Sequence, residues 1–128
     1  MPDPDDRRYT ATHQWACQNP DGSLTVGITD FAQSQLGDVV FVELPQVGKT
    51  VSADESCAVV ESVKSASDVY APVAGSIIEI NKALPNMTET INTAPYVSWF
   101  FKLRPDSAQA YQRLMSAAQY QSFIAQEN

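Results

Sequence analysis

Short alternations of apolar and polar residues, cut by turn residues, run through the first hundred positions of the chain. Period-two alternation sends successive side chains to opposite faces of a strand, so such runs predict half-buried β-structure. Tyr9 to Gln18 reads as a strand pair or one bent strand, and it stops at the turn residues Asn19-Pro20-Asp21-Gly22. Leu24 to Thr29 is the next strand. Asp30 is expected to cap a short helix over Phe31 to Leu36, which Gly37 ends. Val39 to Leu44 (VVFVEL) is β-branched and aromatic and reads as a strand. A turn at Pro45 to Gly48 follows, and extended structure resumes at Val51. Ser56 to Ser62, Ser67 to Ala71 and Ser76 to Ile80 are further strands, with Pro72 to Gly75 turning the chain between the last two. Asn81 to Pro95 reads as loop with one helical turn near Thr88 to Ile91, and Val97 to Leu103 (VSWFFKL) as a last apolar strand.

The tail changes period. Pro105-Asp106-Ser107 is a stop-and-start signal. Beyond it, Tyr111, Leu114, Met115, Tyr120, Phe123 and Ile124 recur at three-and-four spacing, which predicts C-terminal helices packed on the sheet by one apolar face. About eight short strands with glycine and proline turns predict a mainly β fold, a barrel or sandwich. At 128 residues and with 44% hydrophobic content, the chain is expected to be one domain over 1–128. Its core would span about 8–103 and its helical segment about 106–126.

Charge narrows the function. Eight basic against fifteen acidic residues give a net charge of -7, and no basic patch for nucleic acid stands out. An acidic surface favours partners with basic docking faces. No run of about eighteen apolar residues exists to span a bilayer. The start, Met1 to Thr10, lacks the apolar stretch of a secretory signal, so a cytoplasmic protein is expected. The two cysteines, Cys17 and Cys57, are too few and too far apart for a metal site. Cys57 lies in an apolar run and reads as a buried thiol. No phosphate-cradling glycine loop and no serine–histidine–acid set is present, which argues against an enzyme.

One candidate for chemistry remains, in AVVESVKSASDVYAPVAG, Ala58 to Gly75. Two strand-like runs flank a polar centre, so a hairpin would put Val63 and Lys64 at its tip with the amine in solvent. A lysine bearing an acyl arm of similar length would reach roughly 14 Å, counting about eleven bonds at their projected lengths. A Schiff-base role would instead need a desolvated lysine, and the neighbours Ser62, Ser65 and Ser67 are polar.

This string resembles the lipoyl attachment region of glycine cleavage system H proteins, with Lys64 at the lipoylated position. The likeness extends over roughly residues 8–103: His13-x-Trp15, VGITD at Val26, GDVVFVELP at Gly37, SIIEINKAL at Ser76 and NTAPY at Asn92. It implies a barrel-sandwich hybrid of the lipoyl/biotinyl hammerhead type with short helices, including C-terminal ones, and a non-catalytic carrier function. Lipoic acid would be joined to Lys64 by an amide. The arm would take an aminomethyl group from glycine decarboxylase to the aminomethyltransferase and be reoxidised by dihydrolipoamide dehydrogenase. Glu61, Ser62, Val63 and Asp68 match the motif read by lipoyl-attaching enzymes, and His13, Gln14 and Gln35 match a cleft where the loaded arm docks. A monomer is expected, with no nucleic acid, membrane or metal involved.

Several positions depart from that family's pattern. It often has an acid where Gln14 stands, a histidine where Gln35 stands, an acid or serine at Ala94, and a longer, glycine-containing loop before Trp99. An acid at 14 would attract a cationic amine, whereas Gln14 offers only hydrogen bonds. These departures leave open an alternative, an H-like donor relaying lipoyl groups to other complexes. A biotin carrier fits less well, because methionines flank the lysine in that family and Val63 and Ser65 do so here.

Overall fold

A computed structural model describes residues 3–127. Two antiparallel sheets form the body. The larger contains β1 (Arg8–Tyr9), β2 (Gln14–Gln18), β3 (Leu24–Ile28), β5 (Thr50–Val51), β8 (Gly75–Ile80) and β9 (Phe101–Pro105), in the order β1-β2-β3-β9-β8-β5. The smaller contains β4 (Val39–Glu43), β6 (Ser56–Ser62) and β7 (Ala66–Tyr70), in the order β4-β6-β7. Val26, Ile28, Phe101, Leu103 and Ile77 from the first sheet share one core with Val42, Val60 and Val69 from the second. Each such side chain, fully buried, stabilises the fold by about 1.5–3 kcal/mol. The mainly β class and the barrel-sandwich arrangement are as expected.

A second core is aromatic. Tyr9, Trp15, Tyr96 and Tyr120 pack together, with Ala117 closing the cluster. Trp15 lies across the sheet from Gly27, where a Cβ would stand 2.5 Å from the indole Cζ2. Only glycine leaves room for that ring. The Arg7 guanidinium lies over the indole, 4.6 Å from its centroid. Trp15 is therefore core, whereas Trp99 is half-buried beneath Lys102.

Local details depart from the sequence reading in four places. Thr29, not Asp30, caps the first helix, α1 (Asp30–Leu36): its backbone is extended and its hydroxyl accepts from the Ala32 N–H. Gly37 ends α1 as expected, at φ 82°. The stretch 81–95 contains a 3-10 turn at Leu84–Asn86 and a helix α2 (Glu89–Thr93), displaced from the expected turn at Thr88 to Ile91. The last strand starts at Phe101 rather than Val97, because the Val97 and Ser98 N–H groups both donate to the Ala94 carbonyl and hold a turn there.

The tail forms only one α-helix, α3 (Ala117–Glu127), preceded by a 3-10 turn at Tyr111–Arg113. The interruption has a clear cause. Met115 pairs its backbone with Tyr9 through two 2.9 Å hydrogen bonds, which takes the chain out of helical geometry between the two segments.

Candidate functional site

Lys64 stands at the tip of the β6–β7 hairpin, exposed to solvent. The two strands pair up to Glu61 and Ala66, and the Ser62 N–H closes the turn on the Ser65 carbonyl at 2.7 Å. The Ser62 hydroxyl organises what remains. It accepts from the N–H groups of Lys64 (3.3 Å) and Ser65 (3.1 Å) and donates to the Ser65 carbonyl (3.2 Å). A small hydroxyl side chain turned inward can satisfy several backbone groups of a tight turn at once. Ser62 is thus buried inside the turn, while Glu61, Val63 and Asp68 are exposed around Lys64.

The tip rests on the end of α1. The Val63 N–H donates to the Asp38 carbonyl at 3.1 Å, and the lysine side chain passes over Gly37, where a Cβ would lie 3.4 Å from Cε. Asn92 on α2 clamps this loop from the far side. Its Oδ1 accepts from the Val39 N–H (2.9 Å), and its Nδ2 donates to the Gly37 carbonyl (2.8 Å) and to Gln33 Oε1 (3.0 Å). Sequence reasoning gave Asn92 no role. It lies 28 positions from Lys64 along the chain, and only the α1–α2 packing reveals it.

Beside the tip opens a cleft of about 490 Å³. One wall is the hairpin, with Ser65, Ser67 and Asp68; the other is α1, with Phe31 and Gln35; His13 and Gln14 form the end. The three residues expected to line an arm-docking cleft are therefore together, and Asp68 joins them. Ile28, Leu36 and Val60 provide an apolar floor. This is the size and mixed character of a small-molecule site.

Gln14 is 2% exposed, with both the oxygen and the nitrogen of its amide hydrogen-bonded. Its Oε1 accepts from the hydroxyls of Thr10 and Thr12, and its Nε2 donates to the Thr12 carbonyl at 2.9 Å. Asp68 supplies the carboxylate among the lining residues, and it accepts from the Ser56 hydroxyl at 2.8 Å.

An arm of roughly 14 Å from an exposed lysine beside a cleft of this volume has room to lie in it, so these residues fit a lysine-linked lipoyl group. Val40, Phe41 and Val63 expose apolar surface around the tip, with the exposed acids Glu43 and Glu61 close by. An exposed lysine is also unlike a Schiff-base lysine, which relies on a desolvating pocket. Cys57 is half-buried, and burial, with a smaller contribution from Glu55, pushes its thiol up to about 11. Among the described residues no helix is long and apolar enough to cross a membrane, and no cluster of potential metal ligands occurs.

Comparison with known proteins agrees with this geometry. A family model described as glycine cleavage H-protein matches residues 7–127. The glycine cleavage system H protein 2 of Pseudomonas aeruginosa is 52% identical over 124 residues, covering 97% of this chain and 96% of that one. The glycine cleavage system H protein of Alkalilimnicola ehrlichii is 50% identical over 125 residues, with 97% and 96% covered. A crystal structure of a glycine cleavage system H protein from Mycobacterium marinum superposes with a TM-score of 0.83 at 43% identity, covering 98% of each chain. These relatives do not favour the lipoyl-relay alternative. The chain belongs to the glycine cleavage H-protein family, whose members carry a lipoyl group on a lysine and are not themselves catalysts.

Proposed function

We propose that Lys64 is the lysine that receives the lipoyl group, and that the chain carries an aminomethyl group on that arm for the glycine cleavage system. The observation that carries this is the placement of Lys64: exposed, at the tip of a hydrogen-bonded hairpin, beside a cleft large enough for the arm. The amide would remove the lysine's charge, and the lipoyl disulfide supplies the redox-active thiols that take the cargo. What the chain contributes is position. Ser62 shapes the turn, Gly37 and Asn92 support it from below, and Glu61, Val63 and Asp68 form the face read by the lipoyl-attaching enzyme.

In this reading the cleft shelters the loaded arm between docking events. His13 and Phe31 cover it, Gln35 offers an amide at its rim, and the Asp68 carboxylate attracts the cationic amine. The partners are glycine decarboxylase, the aminomethyltransferase and dihydrolipoamide dehydrogenase. The apolar residues Phe41 and Val63, rimmed by Glu43 and Glu61, suit partner faces with an apolar centre and basic edges. The chain acts as a single carrier unit, a monomer in the cytoplasm that docks transiently.

The deciding experiment is the intact mass of protein made in lipoate-supplied cells, with peptide mapping. A single lipoyl increment on Lys64, absent from Lys64→Arg, is expected. No increment under conditions that lipoylate a control domain, or an increment on another lysine, overturns the assignment. Loading of the lipoylated protein by glycine decarboxylase then tests the aminomethyl role.

A further inference from the structure

We propose that Tyr120, on the C-terminal helix, is a positioning residue for the arm: its hydroxyl ties His13 and the start of α1 together and so sets how firmly the cleft holds a loaded arm. The inference rests on the reading that the arm docks in the cleft. Tyr120 is fully buried, and its hydroxyl lies 2.7 Å from His13 Nδ1 and 2.8 Å from Thr29 Oγ1. Thr29 is the residue that caps α1, and its own N–H donates to the His13 carbonyl at 3.1 Å. One phenol thus joins two cleft elements, the turn that presents His13 and the helix that presents Phe31 and Gln35.

His13 needs such a tie. Its backbone sits at φ 72°, a left-handed conformation that costs energy for any residue with a Cβ. Its ring packs on Phe31 with centroids 4.6 Å apart, and both residues line the cleft. The tie is also separable from packing. The Tyr120 ring stacks on Tyr9 at 4.9 Å and 13°, a contact that phenylalanine would keep. Removing the hydroxyl therefore removes the bridge and leaves the aromatic core in place.

The bridge has a direction. The Thr29 oxygen already accepts from the Ala32 N–H, so its own proton is satisfied by donating to the Tyr120 oxygen. The Tyr120 oxygen thus accepts from Thr29 and bonds His13 Nδ1, in the direction that the imidazole tautomer sets. Reversing the Thr29–Tyr120 bond would leave the Thr29 proton without an acceptor among its contacts.

The test uses lipoylated protein loaded by glycine decarboxylase, with the aminomethyltransferase absent. The cargo is then lost by hydrolysis: the oxygen of water bonds to the CH2 carbon, and the S–CH2 and C–N bonds both break, giving the free thiol, formaldehyde and ammonium. Tyr120→Phe is expected to speed this loss roughly two- to ten-fold, about what one net hydrogen bond is worth. Long-range ¹H–¹⁵N spectra are expected to show a single His13 tautomer in the parent protein and a tautomer mixture in the variant.

If His13→Ala speeds the loss and Tyr120→Phe does not, this inference is overturned while the docking reading stands. If neither His13→Ala nor Gln35→Ala changes the loss, the docking reading fails and takes the inference with it. Should Tyr120→Phe not fold, the parent spectrum decides: a tautomer mixture at His13, which an imidazole held by a fixed partner does not show, overturns the inference.

Discussion

Asn92 offers the sharpest test of how the lysine is supported. Three side-chain hydrogen bonds leave its amide, to the Val39 N–H, the Gly37 carbonyl and Gln33 Oε1. Truncation to alanine strands them unequally. Val39 is buried, at 5% exposure, so its N–H loses its partner with little water at hand, at about 1–3 kcal/mol. The Gly37 carbonyl and the Gln33 side chain are half-exposed and recover part of their bonding from solvent. The net expectation is a loss of about 2–3 kcal/mol, a large share of the 5–15 kcal/mol that holds a typical domain together. Asn92→Asp separates the contributions. It keeps an acceptor for the Val39 N–H but faces the Gly37 carbonyl with a second acceptor, so the loss concentrates at the loop beneath Lys64.

Urea unfolding measures the stability, and the initial rate of lipoylation by a lipoyl-attaching enzyme measures the support. Both are taken at a temperature where the variants stay folded. Both variants are expected to be less stable and to be lipoylated several-fold more slowly. A midpoint for Asn92→Ala within about 0.5 kcal/mol of the parent, the scatter of ordinary surface substitutions, refutes the energetic argument. Reduced stability with an unchanged lipoylation rate refutes the claim that this loop holds the lysine in place.

Other positions extend the reasoning. Gly37→Ala forces a Cβ into φ 82°, 3.4 Å from Lys64 Cε; a loss of about 1–2 kcal/mol is expected in urea melts, and an unchanged midpoint contradicts it. Gln14→Glu keeps an acceptor for the Thr10 and Thr12 hydroxyls but turns a second oxygen toward the Thr12 carbonyl. The unloaded protein is expected to lose about 1–2 kcal/mol, while the loaded arm, carrying a cationic amine, sheds formaldehyde more slowly. Equal or faster shedding denies the position its electrostatic role. With its thiol up at about 11, Cys57 holds about a hundred-fold less thiolate at neutral pH than an ordinary thiol near 9.0, so iodoacetamide is expected to label it correspondingly slowly. The folded state holds that proton more tightly than the unfolded chain, so this contribution to stability is intact below pH 9.0 and fades as pH rises toward 11. Labelling at the rate of a small thiol contradicts the burial.

The strands and the hairpin tip at Lys64 were legible in the sequence because their signals are local. Alternation in VVFVEL and SCAVVES, and turn residues at Asn19 to Gly22 and Pro72 to Gly75, each specify a strand or its end within a few residues. Gly37 was read as a helix stop for the same reason. What escaped depends on contacts between distant segments. Thr29 displaced Asp30 as the cap because only its backbone is extended where the helix begins. The tail broke into a 3-10 turn and one helix because Met115 pairs with Tyr9, 106 positions away. Ser62 looks in the sequence like one more exposed residue of a polar tip. The structure turns it inward, as the hydroxyl that shapes the tip.

A carrier of this kind has two opposed needs, a base stiff enough to be recognised and a lysine free enough to be modified and moved. The fold meets them with separate parts. Stiffness comes from the hairpin ladder and from two helices outside it, α2 gripping the loop under the tip through Asn92 and α3 gripping the cleft through Tyr120. Freedom comes from exposure: the Lys64 backbone is hydrogen-bonded, while its side chain lies in solvent over a glycine that presents no side chain to hold it. Mutations that soften the site should therefore map to Asn92, Thr29 and Tyr120 at a distance from the lysine, and those that abolish it to the tip itself. This division also explains why the short helices, the elements with the weakest sequence signal, bear directly on the cleft. Asn92 from α2 and Tyr120 from α3 each bring hydrogen bonds to a frame that the strands already define.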